Sequence, residues 1–219
     1  MRLAFVSFAD GTYVPIQKKL IESIQKYHPE FPIFAFHSFQ EIHSPTHADQ
    51  PYAFKPNAIE SVRDRGYDIV IWCDSPMRLI RRIDDWIPEI ETRGVYIQED
   101  GWTCGQWANN KTLDFFGVSR DEAMTIPNAS AGIVAFDFRK DVANKCLQLW
   151  KTCSDHGLFR GNWTNKDQTE SKDPRCLGHR HDQTCLELIG YKHGIQKGPL
   201  VWGYKDTQPH RYFTSWDHP

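Results

Sequence analysis

An aspartate follows a nearly continuous apolar run in the sequence. Residues 68–73 read Asp-Ile-Val-Ile-Trp-Cys, a pattern typical of a strand buried on both faces of a parallel sheet. Asp74 comes next, so the strand would deliver its carboxylate to the edge of the sheet. Hard divalent cations such as Mg²⁺ or Mn²⁺ bind few carboxylates and complete their shell with substrate phosphates. The pattern therefore indicates a metal and diphosphate site at Asp74, with a plain turn through Ser75 and Pro76 as the alternative.

A second group of ligand-type side chains lies between residues 176 and 185. Cys176, His179, His181 and Cys185 bring two thiols and two imidazoles close together in sequence, and zinc binds both types. Structural zinc sites usually draw on two separated ligand pairs, whereas this group runs into a helical pattern that begins at Asp182. The zinc site is therefore kept as the alternative, and a helix-capping role is a further interpretation of Asp182.

Alternating strands and helices must position these residues. Apolar runs predict strands at 3–8, 32–36, 68–73, 94–98, 133–138 and 200–202, and helical spacing predicts helices at 14–27, 56–65, 84–91, 140–153 and 182–190. The alternation predicts an α/β domain with a mostly parallel central sheet flanked by helices. Ligands of such sheets bind beyond the carboxyl ends of the strands, where Asp74 is expected. The long polar connection at 157–179 has a length typical of functional loops.

Length and composition favour one domain spanning residues 1–219. The chain is 40% hydrophobic and 25% charged, the usual balance of a globular protein. A net charge of −2 gives no electrostatic basis for binding nucleic acid. No run approaches the ~20 apolar residues of a membrane span, and the N-terminus lacks a signal-peptide pattern. With six scattered cysteines, these features predict a soluble, cytoplasmic protein with reduced thiols, either a monomer or a weak oligomer.

Taken in order along the chain, these segments resemble the GT-A glycosyltransferases. In that group an apolar strand ends in an Asp-x-Asp motif, which binds a divalent metal and the diphosphate of a nucleotide-sugar. The corresponding residues here are Asp74, Ser75 and Pro76, so the second carboxylate is missing. The resemblance implies Mn²⁺ or Mg²⁺ at Asp74, with Ser75 beside the diphosphate.

Two later segments extend the resemblance over most of the chain. The stretch from Asn128 through Ser130 to Gly132 is similar to the Asn-x-Gly segment of retaining families, a polar turn near the sugar that precedes a buried strand. Asp182 and Gln183 resemble the Asp-Gln pair that glycogenin-like families place against the donor sugar. The resemblance implies that Asp182 lies beside the anomeric carbon, where a carboxylate stabilises oxocarbenium-like charge.

The remaining expected contacts also come from the resemblance. Phe8 and Ala9 end the first strand, where the group binds the base and ribose, and Tyr13 is available for stacking. Lys55 precedes the motif strand at a basic position that would meet phosphate as a point charge. His210, in the aromatic C-terminal tail, is the candidate for a second metal ligand.

The resemblance implies a retaining transfer of sugar from a UDP-sugar to a glycan acceptor, with segments 99–107 and 157–179 shaping the acceptor side. The short chain is similar to the soluble glycosyltransferases of large algal viruses, which would place it in a host cytoplasm. The alternatives are a zinc-dependent hydrolase and a non-catalytic carbohydrate-binding protein that uses its eight Trp and eight Tyr, although such modules are usually all-β. A nicotinamide dehydrogenase is disfavoured because no Gly-x-Gly-x-x-Gly follows the first strand.

Overall fold

Strands and helices alternate along the chain in a computed structural model that describes residues 1–203 and 211–215. The strands are β1 (Leu3–Phe8), β2 (Ile33–Phe36), β3 (Ile69–Cys73), β4 (Met77–Leu79), β5 (Val95–Thr103), β6 (Pro127–Asp137), β7 (Trp202–Gly203) and β8 (Phe213–Ser215). The helices are α1 (Val14–Tyr27), α2 (Phe54–Arg63), α3 (Ile87–Arg93), α4 (Cys104–Trp107), α5 (Asn110–Phe116), α6 (Arg120–Ala123), α7 (Asp141–Asp155) and α8 (His181–Lys192).

The central sheet has five strands in the order β2-β1-β3-β6-β5. Strands β2 and β3 run parallel to β1, whereas β6 is antiparallel to β3 and β5 is antiparallel to β6. The predicted α/β architecture is confirmed: four of the five strands point the same way and β6 runs against them, so the sheet is mixed rather than purely parallel. The reason is that a buried apolar run identifies a central strand without fixing its direction, which depends on the connection that precedes it.

Both faces of this sheet are covered, as the continuous apolar pattern of β3 predicts. Successive side chains of a strand point to opposite faces, so Val70 and Trp72 join the core beneath α2, α7 and α8. Ile69 and Ile71 join the core on the other face, beside α1, α3 and the small sheet β4-β8-β7. All five residues of β3 are buried. Strand β3 is therefore a rigid support for the residue that follows it, Asp74.

The 157–179 connection has no helix or strand, yet its own side chains fix its path. Asn165 Oδ1 accepts hydrogen bonds from the amides of Glu170 (3.0 Å) and Ser171 (3.2 Å). Asn165 Nδ2 donates to the carbonyl of Ser171 (2.7 Å). Glu170 Oε2 accepts from Nδ2 of Asn109, which caps α5 (3.1 Å). These bonds fasten the connection to the start of α5 and give it a defined shape.

All six cysteines are free and buried. In the described ranges, every helix is too short or too polar to cross a membrane.

Candidate active site

A cavity of about 620 Å³ opens at the carboxyl ends of β1 and β3. This is the edge at which open α/β sheets bind ligands. Eight of the residues predicted from the sequence line it: Phe8, Ala9, Tyr13, Lys55, Asp74, Ser75, Asp182 and Gln183. The structure therefore brings together residues from β1, α2, the end of β3 and the start of α8.

A buried lysine lies between the two aspartates of this cavity. Lys55 Nζ is 3.1 Å from Oδ1 of Asp74 and 3.2 Å from Oδ2 of Asp182. It also donates a hydrogen bond to the carbonyl of Ala131 (3.2 Å). Lys55 is only 4% exposed and Asp182 only 3%, so little water competes for these contacts. The ammonium lies among three protein oxygens, and the expected contact between Lys55 and a substrate phosphate stays a prediction.

We call Lys55, Asp74 and Asp182 the triad, and the charge of each residue depends on the charges of the other two. Burial raises the pKa of Asp182 to about 6, against the attraction of Lys55, and the nearby charge of Asp74 adds to the rise. Burial by itself would lower the pKa of Lys55, but Asp182 and Asp74 together hold that pKa above its usual range. Lys55 is therefore charged at neutral pH, while the pKa of Asp182 is about 6.

The two carboxylate oxygens of Asp74 differ in their contacts with the described residues. Its Oδ1 accepts a hydrogen bond from Nε1 of Trp72 (2.8 Å) in addition to the contact with Lys55. No residue in 1–203 or 211–215 bonds Oδ2, and the side chain is one-third exposed. Mg²⁺ and Mn²⁺ accept sites with one carboxylate when substrate phosphates fill other positions. The donor set thus fits an ion that is bound together with a diphosphate.

Two other residues bear on the predicted metal site. Pro76 stands where the Asp-x-Asp motif has its second aspartate and offers no side-chain ligand. His210, the predicted second ligand, lies outside the described residues.

A different cluster of metal-ligand types, His28, Glu30 and Asp84, lies outside the cavity. Arg82 fills it, with Nη2 at 2.6 Å from Glu30 and Nε at 2.6 Å from Asp84. His28 Nε2 accepts from the amide of Ile83 (2.9 Å), so its Nδ1 carries the proton and donates to Glu30 (2.8 Å). The cluster has the geometry of an ion-pair network rather than that of a cation site.

The predicted zinc ligands are used in packing. His179 donates from Nε2, and His181 from Nδ1, to main-chain carbonyls of the 157–179 connection (2.8 Å each). Burial lowers the pKa of His179 to about 3, so its ring is neutral. In the described part of the chain, these imidazoles and the thiols of Cys176 and Cys185 do not converge on a common point. This geometry removes the basis for the zinc alternative.

Backbone strain lies directly beside Asp182. His181 is buried and has a φ of 53°, in the left-handed region that non-glycine residues rarely adopt. Its ring contacts Tyr52, which has a φ of 60° and lines the cavity (centroids 5.2 Å apart). Trp150 Nε1 donates to the main-chain carbonyl of Asp182 (2.9 Å). Asp182 is the second residue of α8, whose N-cap position is Arg180, and its carboxylate lies beside Lys55, so Asp182 is not simply a helix cap.

Asp100 is a site residue that the sequence reasoning missed. Its Oδ2 accepts hydrogen bonds from Gln183 Nε2 (3.1 Å) and Asn128 Nδ2 (2.6 Å), and burial raises its pKa. The predicted polar turn is wrong here, because Asn128 and Ser130 are buried within β6 and do not line the cavity. Ser130 Oγ accepts from Nε1 of Trp202 (3.0 Å). The next residues of β6, Ala131 and Gly132, do line the cavity, and Asp100 orients the amide of Gln183.

No protein-family model matches the sequence, and no curated protein matches it either. Among solved structures, mouse xyloside xylosyltransferase 1 aligns with a TM-score of 0.55 at 11% identity, over 99% of this chain and 98% of its own. The WbbM bifunctional glycosyltransferase aligns with a TM-score of 0.57 at 12% identity, over 100% of this chain and 46% of its own. Both are GT-A-type enzymes. The chain has the GT-A fold. Within this GT-A fold, the strand that ends at Asp74 and the helix that carries Asp182 meet at one cavity.

Proposed function

We propose that this protein transfers a sugar from a UDP-sugar to a glycan acceptor. The observation that carries the proposal is the placement of Asp74 and Asp182 on either side of the Lys55 ammonium, in a cavity at the carboxyl edge of a GT-A sheet. The GT-A fold supports sugar transfer in general. The arrangement of the cavity supports the choice of donor and the roles below.

The nucleotide is assigned to the end of the cavity formed after β1. Phe8 and Ala9 form the wall there, and the ring of Tyr13 is 37% exposed and available to stack on a base. Asp74 directs its open Oδ2 toward the diphosphate. Bound there with the donor, Mn²⁺ or Mg²⁺ would neutralise charge on the leaving diphosphate. Asp74 is the described residue that would hold the ion, with Ser75 next to it.

Asp182 and Gln183 are assigned to the donor sugar. An ionised Asp182 stabilises the positive charge that develops at the anomeric carbon, and Lys55 favours the ionised form. Gln183, oriented by Asp100, donates to sugar hydroxyls. The other carboxylates among the described cavity residues are Asp10, after β1, and Asp74. Retention of configuration is proposed because Asp182 and Gln183 resemble the Asp-Gln pair of retaining families.

Metal-linked binding of UDP tests the proposal. Isothermal titration calorimetry with UDP and Mn²⁺ should show an affinity that falls at least about tenfold on chelation or in Asp74→Ala, because one carboxylate and the diphosphate must complete the site together. Asp84→Ala is the matched control, since it removes a carboxylate from the ion-pair network outside the cavity. UDP affinity that is the same with and without the ion would remove Asp74 from this role.

A further inference from the structure

Two half-exposed tryptophans lie beside the sugar end of the cavity. Trp163, in the 157–179 connection, is 51% exposed, and Trp102, in β5, is 47% exposed. Trp163 lines the cavity together with Asp182 and Gln183. Burying a large aromatic ring is strongly favourable in water, so indoles that stay open at a ligand cavity mark a binding surface.

An arginine joins these rings into one surface. The guanidinium carbon of Arg180 lies 4.0 Å from the ring centroid of Trp107 and 4.9 Å from that of Trp163. Trp102 packs edge-on against Trp107, with centroids 5.7 Å apart at 88°. We name Trp102, Trp107, Arg180 and Trp163 the tryptophan row. The row is continuous, and Arg180 and Trp163 form part of the cavity wall.

The backbone fixes the row before any ligand binds. The amide of Leu177 donates to the carbonyl of Gln106 (2.8 Å), and the amide of Arg180 donates to the carbonyl of Trp107 (3.1 Å). A side chain at Gly178 would overlap the main-chain oxygen of Trp163. The two segments that carry the tryptophans are therefore held together at a fixed distance, as a preorganised binding surface requires.

The position of Trp163 separates the row from the triad. The ring of Tyr52 lies 5.4 Å from the Lys55 ammonium, His181 contacts Tyr52, and Trp163 packs edge-on against His181 (4.8 Å). Two rings, those of Tyr52 and His181, thus lie between the Lys55 ammonium and the start of the row. A molecule on it would approach Asp182 from the protein surface, as a second substrate must.

We propose that the tryptophan row binds the acceptor as a saccharide, with one pyranose ring on Trp163 and the next on Trp102; this rests on the proposed function. The apolar C–H face of a pyranose matches an indole, and its hydroxyl groups keep the other face in water. Arg180 lacks a hydrogen-bond acceptor among the described residues, and its Nε is buried without a partner. Because Arg180 lines the cavity, the guanidinium N–H groups that reach the cavity donate to hydroxyl oxygens of the bound saccharide.

Saccharide binding to the full chain tests the row. The probes are methyl glycosides and disaccharides of xylose, glucose, galactose and mannose, measured by saturation-transfer NMR and intrinsic fluorescence with and without UDP. We expect binding by the wild type, a loss of affinity of about tenfold in Trp102→Ala and in Trp163→Ala, and a loss of less than about threefold in Trp163→Phe. Tyr191→Ala is the control, since it removes an equally exposed ring (42%) at the far end of α8 and should change nothing.

The outcomes separate the row from the donor site. Equal saccharide affinity in the wild type and in both alanine variants would overturn the proposal that the row binds the acceptor. Failure of every probe to bind at about 50 mM, a concentration well above ordinary KM values, would overturn it as well. UDP affinity that falls in Trp102→Ala while saccharide affinity is unchanged would assign the row to the nucleotide. If the wild type does not bind UDP but loses saccharide affinity in the alanine variants, the row stands and the proposed donor fails. Trp163→Phe is the control for misfolding at this position, because a variant that still binds saccharide must be folded.

Discussion

Replacing Lys55 by methionine is the sharpest test of the buried triad. Methionine keeps an unbranched, flexible side chain of similar length but removes the charge between Asp74 and Asp182. Removing one partner of a buried ion pair costs about 3–5 kcal/mol when the other charge stays uncompensated. Asp182 can avoid part of that cost by taking up a proton, so the effect must depend on pH.

The sign of this dependence follows from the pKa of Asp182. Its folded pKa, about 6, is above the reference value of 3.8, so the folded state binds the proton more tightly. The contribution of Asp182 to the free energy of unfolding therefore falls as the pH rises from 3.8 to about 6. Without Lys55 the folded pKa rises further, and each unit adds about 1.4 kcal/mol to the destabilisation at high pH. We expect Lys55→Met to cost about 1–2 kcal/mol at pH 5 and about 3–5 kcal/mol at pH 8.

Urea unfolding of the variant and the wild type at the two pH values measures this difference. Lys151→Met is the matched control, because Lys151 pairs with Glu60 at a partly exposed site on α2 and α7. Its cost should be below about 1 kcal/mol at both pH values. The pH-rate profile is a second measurement, since the acid limb of kcat should move to higher pH in Lys55→Met. A cost that is equal at pH 5 and pH 8, with an unmoved limb, would refute the charge coupling.

Three further predictions concern Asp182 and the tryptophan row. Asp182→Asn should lower kcat by about 10²–10⁴ with donor affinity nearly unchanged, because a neutral amide cannot stabilise positive charge in the transition state. NMR of the wild-type product should show retention. Full activity of the variant would contradict the role of Asp182, and an inverted product would contradict retention. In the wild type, kcat should fall as pH drops through about 6, where Asp182 takes up its proton; a flat pH-rate profile from 5 to 8 would count against an ionised Asp182. Gly178→Ala should destabilise the protein by about 1–3 kcal/mol in thermal unfolding, because the added methyl overlaps the backbone at Trp163. An unchanged Tm would show that the 157–179 connection can shift to accept the methyl group.

The sequence predicted the part of the fold that local pattern determines. The run that ends at Asp74 was recognisable because a strand buried on both faces is apolar at nearly every position. The start of α6 is also local, because the side chain of Ser119 accepts from the amide of Glu122 (3.1 Å), three residues later in sequence. The direction of β6 was not predictable, because it depends on how the preceding chain returns to the sheet.

The site shows the same division between local and long-range information. Asp74 and Asp182 were identified because each stands at the end or start of an apolar element. Lys55 was identified, but its two carboxylate partners were not predicted, since they come from distant parts of the chain. Asp100 gave no signal, because a carboxylate in a Trp/Gly-rich stretch looks like solvated surface until Asn128 and Gln183 are seen to meet it.

Under the proposed function, the charge of the triad predicts that nucleotide binding requires a metal. With Asp182 ionised, two carboxylates and one ammonium leave a net charge of −1 where a diphosphate must dock. The charge of Lys55 is already included in this sum, and its ammonium is buried between the two aspartates. The cation that remains among the described cavity residues is Arg180, which is held between two tryptophans. A divalent ion at Asp74 would change the sum from −1 to +1 and turn repulsion of the diphosphate into attraction. The missing second carboxylate at Pro76 fits this balance, because another negative charge there would have weakened the attraction.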